Sequence, residues 1–170
     1  MLDICMLGDD VLREKCKPIT KFDSALKMLV DAMIDTLGEA QGVGLAGPQV
    51  GVSNRLFVVK LPDQAPVAFI NPEIIQTSVE TGPYEEGCLS IPGLYHEVIR
   101  PLEVSVQAQD VNGKPFTVNA TGLLARVIQH ENDHLNGKLY IDHLDPKEKE
   151  KMIHLYEKKN SSKKRRFKRV

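Results

Sequence analysis

The chain has 170 residues, enough for one domain with a sizeable core, and a formal net charge of −1 at pH 7. Its composition, 42% hydrophobic and 26% charged, excludes a disordered or low-complexity chain. No apolar run approaches the ~20 residues that cross a bilayer, and Asp9 and Asp10 interrupt the start before a signal-like run develops, so neither a membrane partner nor export is expected.

Cys5, Cys16 and Cys88 are odd in number and irregular in spacing, which points to free thiols in a reducing cytoplasm. The small net charge conceals an asymmetry. Residues 158–170 hold eight basic side chains and no acidic one, whereas the first 157 residues carry a net −9. The expected organisation is a single catalytic domain over 1–157 and a basic C-terminal tail over 158–170.

In chain order, residues 9–15 are weakly patterned and end at Pro18. Over 24–41, Leu26, Leu29, Val30, Met33, Ile34 and Leu37 recur at helical spacing, with Asp23 or Ser24 able to cap the start and Gly42 to end it. Gly42-Val43-Gly44-Leu45-Ala46-Gly47-Pro48-Gln49 follows, too rich in glycine for a helix or a strand interior. It reads as a loop, either a plain turn or a backbone that passes close to a ligand. It is not a phosphate loop, because no Gly-Lys-Ser/Thr follows.

Residues 55–60 and 67–70 read as strands, with a further strand expected over 72–79. Cys88 lies in an extended run beside Gly87, where a buried small side chain is its ordinary role. Leu102, Val104, Val106 and Ala108 alternate with polar residues, Asn112-Gly113 makes a hairpin turn, and Phe116, Val118 and Ala120 return. Thr121 can cap the next helix, and Pro146 begins a last, highly charged one.

The central signal is His130-Glu131-Asn132-Asp133-His134, an H-E-x-x-H pattern. On a helix the two histidines share one face, about 5–6 Å apart at Cβ, so both can reach one metal ion with Glu131 beside them to handle a proton. Leu123, Val127, His130 and His134 lie at i, i+4, i+7 and i+11, so the histidines share a face with core residues. Buried imidazoles need partners, and a metal ion satisfies both.

A catalytic metal usually takes a third protein ligand and keeps one open position. Asp142, Asp145, Glu148 and Glu150 are available, His143 is off the usual three-histidine spacing, and Cys88 as a thiolate is a strong, soft alternative. Cysteine with two histidines suits zinc by residue chemistry alone.

The glycine segment 42–49, Glu86-Gly87-Cys88-Leu89-Ser90, and Gln129-His130-Glu131-Asn132-Asp133-His134-Leu135 stand in this order and at these separations. Together they resemble the three signature motifs of the peptide deformylase family, and the resemblance covers nearly the whole chain. It implies a hydrolase that removes the formyl group from the N-terminal formylmethionine of newly synthesised polypeptides and releases formate, by a metal-activated water with Glu131 as general base and then acid. The implied ligands are Cys88, His130 and His134, and the implied metal is Fe²⁺, for which Zn²⁺, Ni²⁺ or Co²⁺ can substitute. The Gln49 amide and the Leu89 backbone N–H are the implied donors to the formyl oxygen. Gly44 and the backbone at Glu86 and Gly87 are implied to bind the peptide as an added strand, and Val43, Leu123 and Val127 to wall the methionine pocket.

Gly47 stands where the family usually has alanine, Leu94-Tyr95-His96 stands where some members have an arginine, and Arg126 lies near the expected pocket edge. The implied fold is α+β, antiparallel sheets around a central metal-binding helix with a helix towards each end. For the basic tail, a solvated end and an electrostatic hold on ribosomal RNA both remain open; DNA is not an expected partner. Two rival readings share the same motif. A zinc endopeptidase requires a carboxylate third ligand, and a ribosome-associated module with a structural metal leaves Glu131 without a task.

Overall fold

The pattern over 24–41 becomes helix α1, Ser24–Glu39, in a computed structural model that describes residues 1–167, with side chains through residue 161. The Asp23 carboxylate accepts from the Leu26 N–H at 3.0 Å and caps the start. The helix holds every residue of the periodic stripe and ends at Glu39, two residues short of the expected 41, where Gln41 turns to a left-handed φ of 55°. Its buried stripe of Leu26, Val30, Met33 and Leu37 packs on Leu45, Leu56, Val58 and Ile70.

Those last residues belong to a five-stranded antiparallel sheet in the order β1-β2-β3-β6-β7. The strands are β1 (Gly44–Ala46), β2 (Leu56–Val59), β3 (Val67–Thr77), β6 (Val104–Gln109) and β7 (Pro115–Ala120). Two expectations change here. The glycine segment is a three-residue edge strand running into a 3-10 turn at Gly47–Val50, not simply a loop. Residues 67–70 and 72–79 form one strand rather than two. β3 absorbs Pro72 by shifting register between Ile70 and Glu73, with Asn71 at φ 50°. The Asn71 side chain holds that bulge by bonding the backbone of Ile19 and the side chain of Gln109. Strand β6 starts only at Val104, and Leu102 is exposed.

A separate antiparallel hairpin pairs β4 (Thr81–Cys88) with β5 (Ile91–Pro101). Helix α2, Gly122–Leu135, lies between the two sheets. One side packs with Phe57, Phe69 and Val106 of the large sheet, and its polar side chains bond Glu86, Val98 and Pro101 of the hairpin. Thr121 occupies the N-cap position but makes no side-chain capping bond. The α+β architecture around a central motif-bearing helix is therefore as the sequence implies. Helix α3, Pro146–Phe167, continues past residue 157 without a break, so the start of the basic segment extends a helix. The side chains of Lys163, Lys164, Arg165, Arg166, Lys168 and Arg169 lie outside the described residues. No described helix is long and apolar enough to cross a membrane.

The chain's two ends are joined at Asp142, in the 3-10 turn Tyr140–His143. Its carboxylate accepts from Arg13 at 2.6 Å, from the Leu139 N–H at 2.9 Å and from Lys149 of α3 at 2.8 Å. Burial raises the Asp142 carboxyl pKa, but the bonds from Arg13 and Lys149 outweigh it and hold the group below its ordinary 3.8. A carboxyl depressed in the fold contributes fully above its unfolded pKa and loses that contribution as pH falls further. Asp142→Asn is therefore expected to cost about 1–2 kcal/mol at pH 7, as charge-assisted bonds of this kind do, measured by urea unfolding. The gap to wild type should close below about pH 3.8.

Candidate active site

Helix α2 buries an unusual number of polar side chains: Arg126, Gln129, His130, Glu131 and His134. Each must find partners or be costly. The Gln129 amide donates to the carbonyls of Pro101 and Ala125. His130 Nδ1 bonds Glu86 Oε1 at 2.8 Å, which leaves Nε2 as its free nitrogen. His134 turns Nε2 to the Cys88 thiol at 3.5 Å.

Cys88 reaches this point through a register shift. Strand β4 pairs regularly with β5 up to Gly87–Tyr95, then slips, so that Cys88 faces Ile91. The irregularity re-aims the end of the strand at α2. One ligand atom each from Cys88, His130 and His134 then lies within 4.8 Å of the other two. This is the one such cluster among the described residues.

The donor set fits a metal ion. Two imidazoles and a thiol converge, with the His130 and His134 ring centroids 5.1 Å apart. Burial opposes charge on both rings. At His130 it is outweighed by the bonds to Cys88 and Glu86, and the ring remains basic. At His134 burial and the neighbouring His130 push basicity well down. A metal ion bound here would take both imidazoles neutral and the thiol as thiolate, so it would displace protons from this cluster. Glu131 Oε2 is buried beside this cluster without a protein hydrogen-bond partner, and burial pushes its carboxyl pKa up to about 7.

Behind His130 lies a network of buried charge. Glu86, 4% exposed, accepts from Arg100 at 2.7 and 3.0 Å and from Arg126 at 3.2 Å, in addition to its bond with His130. Burial raises its pKa, but these partners win and take it down to about 2. Arg100 also reaches Asp133 at 2.8 Å, and Asp133 bonds His143 at 2.7 Å. The buried Tyr140 ring stacks on His130 from the other side, with centroids 6.0 Å apart.

In front of the metal cluster is a cavity of about 410 Å³. Val43, Gly44, Gln49, Gly87, Leu89 and Glu131 border it, as do Cys88, His130, Leu123 and Val127. Of the site residues that the resemblance implies, all but His134 border the cavity, whereas the alternative third ligands Asp142, His143, Asp145, Glu148 and Glu150 do not. Glu86 borders the cavity, yet its carboxylate is committed to His130 and the two arginines. Gln49 is fixed at both ends: Oε1 accepts from the Ala46 N–H at 2.9 Å, and Nε2 points at Ser90 Oγ and Cys88 Sγ, 3.1 and 3.5 Å away.

A model of the polypeptide deformylase family matches residues 1–150. The chain belongs to the polypeptide deformylase family. It is thus an enzyme, a metal-dependent hydrolase of the deformylase type. The peptide deformylase of Picosynechococcus sp. (strain ATCC 27264 / PCC 7002 / PR-6) is 48% identical over 148 residues, 85% of this chain and 79% of the relative. That of Borreliella burgdorferi is 46% identical over 156 residues, 91% and 94% of the two chains. A crystal structure of a peptide deformylase from Legionella pneumophila superposes with a TM-score of 0.92 at 41% identity, covering 97% of this chain and 98% of that one. One from Synechococcus elongatus, in complex with actinonin, gives 0.87 at 42% identity over 94% and 88%.

Against the deformylase pattern, the departures have local explanations. A methyl on Gly47 would sit 2.7 and 2.8 Å from the carbonyl oxygens of Val52 and Asn54, so the glycine is closely packed here and not a source of slack. Arg126 borders the cavity, as expected, with its side chain held by neighbours. Its guanidinium donates to Glu86, Val98 O and Gly82 O and lies 5.5 Å from the centre of the Tyr84 ring. Arg100, Asp133 and Ser90 also belong to the site, although the motifs assign them no role in the sequence. The one available signal was charge placed in strands and helix faces that otherwise read as core.

Gly44 leaves its side-chain space to the Glu131 carboxylate. A methyl there would lie 2.6 Å from Glu131 Oε1 and 2.9 Å from Cδ. Gly44→Ala is therefore expected to displace Glu131 and lower kcat by about 10²-fold while the protein stays folded, as steady-state kinetics beside circular dichroism would show.

Proposed function

We propose that this chain removes the formyl group from the N-terminal formylmethionine of newly synthesised polypeptides and releases formate. The observation that carries the reading is the cluster of Cys88, His130 and His134 at a cavity bordered by Glu131, Gln49 and the edge strand β1. The residues that hold the metal in this reading are Cys88, His130 and His134, and the proposed native ion is Fe²⁺. When bound, the metal supplies Lewis-acid activation of a water near neutral pH.

Glu131 moves the proton. Its unpartnered Oε2 accepts the proton of the attacking water and then returns it to the departing amine. A carboxyl poised near pH 7 can do both, and burial provides that poise. The Gln49 Nε2 amide and the Leu89 backbone N–H donate to the formyl oxygen as charge builds on it. The bond from the Ala46 N–H to Gln49 Oε1 keeps that amide from flipping. Gly44, on the edge strand, and the backbone at Glu86 and Gly87 pair with the peptide as an added strand. Val43, Leu123 and Val127 give the methionine side chain an apolar wall.

The site works in the cytoplasm in this reading, beside the ribosome. The basic segment that continues α3 is proposed as an electrostatic hold on ribosomal RNA, since eight positive charges follow an acidic body.

Two measurements test these assignments. Glu131→Gln is expected to lower turnover of a formyl-Met dipeptide by about 10²–10⁴-fold with bound metal unchanged, assayed anaerobically. Cleavage of internal peptide bonds with no formate release would instead favour an endopeptidase. Removing residues 162–170 is expected to weaken ribosome binding and flatten its salt dependence; an unchanged affinity and slope would remove the tail from the account.

A further inference from the structure

His143 drew notice in the sequence as a third histidine at the wrong spacing for a ligand, and the mechanism leaves it unused. We propose that His143 is a positioning residue for the metal centre: it pins Asp133, which holds Arg100 square to Glu86 and so fixes the ring of His130. The inference rests on the metal-centre reading above.

The chain of contacts is continuous. His143 Nε2 lies 2.7 Å from Asp133 Oδ2, Asp133 Oδ2 takes Arg100 at 2.8 Å, Arg100 grips Glu86 at 2.7 and 3.0 Å, and Glu86 holds His130 Nδ1 at 2.8 Å. Each bond in it has a charged partner, the stronger class of hydrogen bond. The division of Arg100 is the critical point. Two of its nitrogens serve Glu86 and the third serves Asp133, so two carboxylates set the plane of one guanidinium. Glu86 and Arg100 are each 4% exposed and enclosed. The Asp133 side chain is 18% exposed, so it has solvent to turn to. Arg100 and His143 hold the same oxygen, Oδ2, and the bond to His143 secures it from the solvent side.

The bonding pattern also assigns the tautomer. With Nε2–H donated to Asp133, the 3.4 Å approach of Arg100 to that same nitrogen sets donor against donor and is not a bond. His143 can only pull on Asp133. Its own backbone is well anchored, because the preceding residue, Asp142, ties the turn to Arg13 and to Lys149 of α3. A fixed support therefore stands at the solvent end of the network and a metal ligand at the other.

The test uses the full chain loaded anaerobically with Co²⁺, in four forms: wild type, His143→Leu, His143→Asn and His143→Gln. Co²⁺ affinity by chelator competition and the visible absorption of the bound ion are read beside the urea midpoint. Direct outer partners of metal-bound histidines are worth about 10–100-fold in affinity, and a partner further back should give about 3–10-fold. Leucine and asparagine are expected to weaken Co²⁺ binding by that factor and shift the absorption bands. The asparagine amide is too short to stand where Nε2 stands. Glutamine places its amide nitrogen there and should restore both readouts. If the leucine form does not fold, the comparison of asparagine with glutamine decides. Affinity and spectrum equal to wild type in the asparagine form, or glutamine no better than asparagine, would overturn the proposal. Failure of the wild type to bind Co²⁺ would instead overturn the metal-centre reading, and this inference with it.

Discussion

The carboxylate of Glu86 is the charge on which the site depends. It lies on β4, nearly out of solvent, and is shared by His130 and Arg126 of α2 and Arg100 of β5. An unpaired carboxylate so buried would cost several kcal/mol. With two guanidinium groups and an imidazole around it, the charge is retained and its pKa falls despite burial. The consequence is geometric. The two-stranded hairpin and the central helix cannot shift against each other without uncovering a buried charge. The same carboxylate chooses which nitrogen of His130 faces the cavity. Docking of two elements and orientation of a ligand are thus one interaction.

Local pattern made much of this legible before the structure. The spacing of His130 and His134 with Leu123 and Val127 defined both the helix and its inward face, and Asn112-Gly113 marked the β6–β7 hairpin, where the Gly113 N–H bonds Asp110 O. These are short-range signals. Strand β3 was less readable, because a proline in mid-strand ordinarily ends a strand, and only the Asn71 side chain, reaching Ile19 and Gln109, shows how the bulge is held. Arg100 and Asp133 were invisible for a related reason. Arg100 sits in a strand 14 residues from Glu86 and 33 from Asp133. Nothing in the alternation of β5 says that an inward-facing arginine meets two carboxylates rather than solvent.

Close approach explains the glycines better than flexibility does. Gly44 gives its side-chain space to the Glu131 carboxylate, and Gly87 gives its space to the Tyr95 ring, whose atoms would lie 2.6 Å from an added methyl. In both places the missing side chain lets a strand edge stand against the cavity. Gly44, read in the sequence as part of a loop, is the one that brings backbone up to the Glu131 carboxylate.

The donor atoms that could hold a metal come from two separately formed elements, a thiol at the irregular end of β4 and two imidazoles one turn apart on α2. Neither set can bind an ion in catalytic geometry alone. A helix carrying five buried polar residues would be a poor core element without the hairpin, and the hairpin is only two strands wide. Apolar packing supplies the support from outside. Phe57 and Phe69 of the large sheet cluster with Ile128 of α2, and Leu139, Tyr140 and Ile141 cluster with Ile91 and Val98 of the hairpin. Those clusters press the polar surfaces together, so the metal site is assembled by the fold rather than by the motif.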